Sequence, residues 1–423
     1  MQLWSNFGER VAAGSGIEEL MEDLGHALAD GGEDCLMLGG GNPAFIPEVE
    51  AVWETRMKEL VSDSAALRKT LAVYDPPRGN PSFLRSLASM LRKEYGWDIT
   101  EDHLAVTGGG QTAFFALFNL LAGSSPSGSL RKIHFPLMPE YIGYSNQGIS
   151  PSSLSGSIPE IRKTSPHGFK YHIDFSVLPT DETVAAYCVS RPTNPSGNVL
   201  DDEEISKLSA MAKKAGIPLI IDNAYGLPFP NILFRQTTPL WADHHIFVFS
   251  LSKLGLPGTR TAVVVAKPQI ARAVASMTAV TGLANGNFGQ AITRPLIEDG
   301  TLLHLSQNFI RPYYEKKMRF ARAKVADCFP KESSYALHET EGALFLWLWL
   351  PDCPLNSRQF YQKLKEKKVL VVPGEPFFFG LGKDADSWRH RHECIRISFA
   401  MKDDVVERGL ELIGAEISRA YGM

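Results

Sequence analysis

Apolar residues along the chain fall into two rhythms. Short apolar runs at Leu104–Val106, Ile133–Phe135, Ala185–Val189, Ile217–Ile221 and Ile246–Phe249 are too brief for helices and apolar on both faces, which predicts buried strands. Between them lie segments read as helices, at 17–30 (Ile17, Leu20, Met21, Leu24 and Leu28 at helical spacing), 47–62, 82–95, 113–121 and 201–215. Strands alternating with helices predict an α/β fold with a mostly parallel central sheet. From about Arg311 the texture changes. A long charged helix (305–328) precedes strands at 344–349, 369–372 and 394–399 and a last helix at 403–421, the pattern of a smaller α+β domain. A serine-rich loop (150–158) and a hairpin around Phe169–Phe175 interrupt the first part. The expected division is an N-terminal segment, 1–45, joining the small domain, a large α/β domain, 46–305, and a small C-terminal domain, 306–423. There is no tandem repeat.

The polar motifs fall just past strand ends, where open α/β sheets bind ligands. After Ile246–Phe249 comes Ser250-Leu251-Ser252-Lys253-Leu254-Gly255-Leu256-Pro257-Gly258-Thr259-Arg260. A lysine between hydroxyls, ahead of a Gly/Pro turn and an arginine, suits a partly neutral amine: desolvation and a cationic neighbour both lower its pKa and favour the nucleophile. Ser250, Ser252 and Arg260 offer hydroxyl donors and a fork suited to phosphate. An amine for an aldehyde beside a phosphate cradle suggests pyridoxal 5′-phosphate. Asp222 closes an apolar strand, where an unpaired carboxylate is costly. It fits either a cationic ring nitrogen or a helix cap. Tyr225 and Asn194, the latter held between prolines, fit hydrogen bonds to a ring oxygen, and Tyr141 offers a stacking face. Thr107-Gly108-Gly109-Gly110-Gln111 joins a strand to a helix, the geometry in which free amides at a helix start hold a phosphate. It also reads as a tight structural turn, and Gly39-Gly40-Gly41-Asn42-Pro43 reads equally as a flexible turn or a ligand approach. Arg396, within the strand Cys394–Phe399, pairs with a protein carboxylate or awaits one from a substrate.

Charge narrows the field. The 423 residues carry a formal net charge of −4, with 44% hydrophobic and 21% charged residues, an ordinary soluble composition with no electrostatic case for nucleic acid or acidic membranes. The substrate is therefore expected to be small. The five cysteines are scattered without a Cys-x-x-Cys pair, which fits reduced thiols in a cytosol. The N-terminus lacks the apolar core of a signal peptide, and no apolar run reaches membrane length. His390-Arg391-His392-Glu393-Cys394 has metal-ligand side chains, but they are local and read as a polar strand entry; no metal is expected.

Taken together, Gly41-Asn42-Pro43, Tyr74 to Gly79, Thr107 to Gln111, Pro139-Glu140-Tyr141, Asn194-Pro195-Ser196-Gly197, Asp222 with Tyr225, Ser250 to Arg260, and Arg396 resemble fold-type I, pyridoxal-phosphate-dependent enzymes of the class I/II aminotransferase family. The motifs occur in the family's order and span most of the chain. Leu38 to Ala44, Pro139 to Tyr144, Ser190 to Pro195, Asp222 to Gly226 and Glu341 to Trp349 narrow the resemblance to bacterial members exchanging nitrogen between valine or alanine and pyruvate or a branched 2-oxo acid. The resemblance implies that Lys253 bonds the cofactor aldehyde and shuttles the substrate proton. It implies that Asp222 pairs with the ring nitrogen, that Tyr225 and Asn194 bond the ring oxygen, and that Tyr141 stacks on the ring. Gly109, Gly110, Gln111, Ser250 and Arg260 would hold the phosphate, with Tyr74 reaching it from the other subunit of a cytoplasmic homodimer. Arg396, the Gly41 amide and Asn194 would bind the substrate carboxylate. Related enzymes often carry Asn and Ser where this chain has Gly108 and Gly110, a loss of about 1 kcal/mol for one neutral hydrogen bond. Two other readings stand beside this one: a carbon–sulfur lyase or other eliminase on the same fold, and a ligand-sensing domain of a regulator, for which no basic helix-turn-helix precedes the first motif.

Overall fold

The computed structural model describes residues 3–14, 35–126 and 128–423, with scattered positions from 18 to 25. The helix expected at 17–30 lies largely outside the described residues. The apolar runs become the strands of an eight-stranded sheet: β1 (Leu104–Thr107), β2 (Gly123–Ser124), β3 (Leu130–Phe135), β4 (Leu154–Gly156), β5 (Val184–Ser190), β6 (Leu219–Asp222), β7 (His245–Ser250) and β8 (Ala262–Val265). Their order is β1-β8-β7-β6-β5-β3-β2, with β4 beside β3. β7, β6, β5, β3 and β4 pair in parallel, and every residue of β5, β6 and β7 is buried, so these strands read as unbroken apolar runs rather than alternating ones.

β8 is a strand the hydrophobic pattern did not single out. It runs antiparallel to both β7 and β1, so the chain leaves β7 at Ser250 and returns directly beside it at Ala262. The return loop carries Lys253 and Arg260, and β8 in turn sets it against the end of β1. Strand register does the rest. Ser190, Asp222 and Val248 lie level across β5, β6 and β7, and Ser250, Ala262 and Thr107 lie level across β7, β8 and β1. The polar motifs thereby share one edge of the sheet.

A second, six-stranded sheet runs in the order Val372–Pro373, Cys394–Ser398, Phe345–Trp349, Ala336–His338, Gly168–His172, Glu160–Ser165. The hairpin expected around Phe169–Phe175 is the pair Glu160–Ser165 and Gly168–His172, and it adds to this sheet through Leu337 and His338. Fully buried Trp347 anchors its core, its ring edge-on to Phe377. The charged helix is Arg311–Cys328, entered through a π turn at Ser306–Ile310. It packs on the terminal helix Asp403–Ala420.

The N-terminal glycines are held from both sides. Leu36–Met37 pairs in parallel with Val369–Leu370, and the Leu38 carbonyl accepts from the Ser398 amide at 2.7 Å. Gly409 lets the terminal helix close on Leu38, since a Cβ there would stand 2.3 Å from Leu38 Cδ1.

Gly197, in the Asn194-Pro195-Ser196-Gly197 turn, has φ +69°, and a Cβ there would stand 2.8 Å from the Gly342 carbonyl. Gly197→Ala should therefore destabilise the protein by at least about 1–2 kcal/mol from the left-handed backbone alone. Gly282→Ala, in open space at a helix end, should change stability by less than about 0.5 kcal/mol. Urea unfolding midpoints of the two variants check this.

Candidate active site

Lys253 sits in the short 3-10 turn Ser252–Leu254 just past β7. Its Nζ donates to the Gly41 carbonyl at 2.5 Å and lies 5.4 Å from the centroid of the Tyr225 ring. Desolvation by burial, then the positive charges of Arg396 and Arg260, lower its pKa to about 8, against the opposing pull of Asp222. This is the partly neutral amine that the sequence context predicts.

Asp222 ends β6 and is buried. No helix follows it, so it caps none: Oδ1 accepts from the Ala224 amide at 2.8 Å and Oδ2 from the Tyr144 hydroxyl. Burial pushes its carboxyl up to about 6, and those two hydrogen bonds and Lys253 oppose the rise. Tyr225 is buried beside it, with burial raising its phenol above the usual range. Tyr141 lies edge-on to Tyr144, centroids 5.3 Å apart, and Gly143 makes room for it: a Cβ there would stand 2.4 Å from Tyr141 Cε1.

The helix Gly110–Leu121 begins directly after β1, with Gly109 at its cap in a positive-φ conformation (+100°) and no side chain capping its first amides. Nothing stands within 4 Å of a Cβ placed on Gly110, whereas one on Gly109 would meet Arg260 Nη2 at 2.3 Å. Uncapped amides, an open approach and a guanidinium lying across the glycine make an anion cradle. Gln111 reaches sideways, Nε2 donating to the Gly143 carbonyl at 3.2 Å. Ser250 Oγ binds Ser252 Oγ at 3.0 Å and accepts from the Ser252 amide at 3.2 Å, which fixes the turn before Lys253.

Arg396 lies buried in its strand. Nη1 donates to Asn194 Oδ1 at 2.9 Å and Nη2 to the Gly39 carbonyl at 2.7 Å, while Nε has no partner among the described residues. The guanidinium stands 4.2 Å from the Phe345 ring centroid and 5.3 Å from that of Phe377. Burial lowers its pKa to about 10, and no carboxylate among the described residues pairs with it. A buried cation given only neutral acceptors has the chemistry to take an anion. Tyr74 is the exception among the expected residues. It is 80% exposed and makes no hydrogen bond or ring contact with the others among the described residues.

Sequence reasoning missed the groups behind Asp222. Tyr144, Ser190 and Glu140 are buried and link to it through hydroxyls. A buried acid in Pro139-Glu140-Tyr141, at the end of an apolar strand, was the one available signal. His390 lies among Trp349, Trp388 and Phe378 rings, and no three metal-ligating side chains converge among the described residues. No helix among them is long and apolar enough to cross a membrane.

Residues 33–413 match the family described as aminotransferase class I and II. The chain is 43% identical over 418 residues to the valine–pyruvate aminotransferase of Escherichia coli, covering 99% of each sequence. A crystal structure of a putative amino-acid aminotransferase from Psychrobacter arcticum superposes with a TM-score of 0.95 at 38% identity, covering 100% of both chains. The valine–pyruvate aminotransferase of Salmonella typhimurium superposes at 0.87 with 41% identity, covering 95% of this chain and 99% of that one. The polar residues gathered at the sheet edge and these full-length likenesses lead to one conclusion: the chain belongs to the class I and II aminotransferases, the fold-type I, pyridoxal-phosphate-dependent enzymes.

Proposed function

We propose that this aminotransferase moves the amino group of a small aliphatic L-amino acid to a 2-oxo acid, with L-valine and pyruvate giving 3-methyl-2-oxobutanoate and L-alanine. The observation that carries the reading is the convergence of Lys253, Asp222 and Arg396, an amine held near neutrality between a buried carboxylate and a buried, carboxylate-free arginine. The choice of valine and pyruvate is supported by the 43% full-length identity to an enzyme of that name.

The residues present fit pyridoxal phosphate: the uncapped helix start and open Gly110 suit its phosphate, Asp222 its ring nitrogen, and Lys253 its aldehyde. When bound, the cofactor supplies an electron-withdrawing ring that stabilises negative charge at the substrate α-carbon. Lys253 Nζ takes and returns the α-proton, a role its lowered pKa suits. Asp222, kept anionic by Tyr144 and the Ala224 amide, holds the proton on the ring nitrogen. Gly109, Gly110, Gln111, Ser250 and Arg260 would hold the phosphate, Tyr225 and Asn194 would bond the ring oxygen, and Tyr141 would stack on the ring. Arg396 grips the substrate carboxylate as a fork, with Asn194 and the Gly41 amide beside it.

The same proposal includes a cytoplasmic homodimer with shared sites. Tyr74 at 80%, Phe45 at 83%, Leu71 at 71% and Val280 at 85% exposure are large apolar side chains open to a partner, which supports this reading. The 70–74 segment is tied to the loop after the Val280 helix, because Asn287 Nδ2 donates to the Val73 carbonyl at 2.6 Å. The proposed domain division, 1–45 with 306–423 around a large domain at 46–305, is supported by the pairing of Leu36–Met37 with Val369–Leu370, except at the hairpin 160–172, which adds to the sheet of the C-terminal part.

L-Valine should bleach the visible band of the purified protein, and pyruvate should restore it with L-alanine formed. Lys253→Ala should abolish both half-reactions without loss of fold by circular dichroism. A band that valine leaves untouched, with ammonia released from a sulfur amino acid, would point to the lyase. Lys253 in cofactor-free protein should lose its proton as pH rises through about 8. Removing the Arg396 charge (Arg396→Met) stabilises the ammonium and moves that midpoint up; Asp222→Asn moves it down. The pH dependence of amine acylation, read at Lys253 by mass spectrometry, checks both signs. Sedimentation velocity should give a dimer, shifted toward monomer by Val280→Glu.

A further inference from the structure

Behind Asp222 the hydroxyls form a continuous line. The Tyr144 hydroxyl donates to Asp222 Oδ2 and lies 3.3 Å from Ser190 Oγ, which lies 2.6 Å from Glu140 Oε2. The Ser190 amide donates to Glu140 Oε1 at 2.8 Å, and the Tyr141 amide lies 3.3 Å from Oε2. All four side chains are buried, Glu140 at 1% exposure, and Tyr144 is wedged among Phe114, Phe118 and Phe135. The titratable groups facing Glu140 are Asp222 on β6, Tyr144 on the turn after β3, Cys188 on β5 and its neighbour Tyr141. No lysine or arginine among the described residues pairs with it.

Proton counting decides how the line is oriented. With both carboxyls ionised, Ser190 must donate to Glu140 and Tyr144 to Asp222. The two hydroxyl oxygens then face each other without a proton, and two like charges are buried together. With one proton on Glu140, the line reads Glu140 to Ser190 to Tyr144 to Asp222. Every link holds one proton, and a single negative charge rests at Asp222. Lys253 lies on the Asp222 side, so the charge belongs there.

We propose that Glu140 is a positioning residue for the reaction, a neutral carboxylic acid whose proton orients the Ser190–Tyr144 hydroxyls toward Asp222 and so fixes the anion that meets the cofactor ring nitrogen. The proposal rests on the functional reading above, in which Asp222 has that partner. Burial, which pushes the Glu140 carboxyl up to about 8, agrees with the proton count, while Asp222 rises only to about 6.

The test compares the holoenzyme with Glu140→Gln, whose amide keeps a donor toward Ser190, and Glu140→Leu, which keeps none. The infrared difference spectrum of wild type against Glu140→Gln at pH 7 should show a carboxylic-acid carbonyl stretch. That stretch should fade as pH rises through about 8, to which burial raises the carboxyl. The ¹⁵N resonance of ring-labelled pyridoxal phosphate should be displaced in Glu140→Leu and returned to the wild-type position in Glu140→Gln. The cofactor Kd should rise roughly fivefold in Glu140→Leu, as for one lost hydrogen bond. Absence of the acid band would overturn the proposal, because Glu140 would then be ionised. A ring-nitrogen resonance equal in all three proteins would overturn it too, leaving Glu140 a packing residue. Wild-type protein that takes up no cofactor would overturn the functional reading itself, and the proposal with it.

Discussion

A carboxylate closing a wholly apolar strand is the constraint on which the site depends. β6 is buried at every position, so Asp222 has little water to stabilise its charge and must be supported by fixed dipoles. Two donors, the Ala224 amide and the Tyr144 hydroxyl, and one nearby cation, Lys253, supply that support. The Ala224 amide lies two residues along in the same turn, whereas Tyr144 and Lys253 come from other elements and are placed by the sheet rather than by local sequence. The parallel pairing of β5, β6 and β7 sets Ser190 and Asp222 level, and the antiparallel return through β8 brings Lys253 and Arg260 over the end of β1. Sheet topology thus decides which charges meet.

The same low-polarity surroundings act on groups of opposite sign in opposite directions. Desolvation raises Asp222 and Glu140 and lowers Lys253 and Arg396. The result is a lysine and an aspartate whose pKa values approach neutrality from either side. A group that must give and take one proton repeatedly works best under that condition.

Much of this was legible in the sequence because it rests on local pattern. The buried parallel strands appear as unbroken apolar runs, and helix starts such as Asn80 before Pro81, or Asp201 with Glu204, carry their caps in the sequence. Lys253, Asp222 and Arg396 stood out because charged side chains at strand ends or within strands are conspicuous. β8 did not: its four apolar residues follow the Gly/Pro turn of the lysine loop, and their antiparallel direction is a property of pairing. Tyr144 and Ser190 were silent for a similar reason: tyrosine and serine are ordinary in turns, and their hydroxyls acquire meaning only when tertiary packing lines them up behind Asp222. The hairpin at 160–172 was visible as a hairpin, but its partner strand, Ala336–His338, lies far along the chain.

The glycines near the N-terminus complete the electrostatic arrangement. Gly39 and Gly41 give their carbonyls to Arg396 and Lys253, and both glycines are held there by the pairing of Leu36–Met37 and by the Leu38–Ser398 hydrogen bond. A buried cation left with no acceptor would be costly, and one paired with a protein carboxylate would be closed to an anionic ligand. A neutral carbonyl lies between those extremes. It satisfies the donor, yet a charge-assisted bond to a carboxylate is roughly twice as strong, so an incoming anion can displace or share it. Side-chain-free backbone is suited to this task, because it brings an acceptor close without bringing bulk. The same segment that reads as a flexible turn in isolation is, in the fold, a set of fixed neutral acceptors for the buried Lys253 and Arg396 side chains.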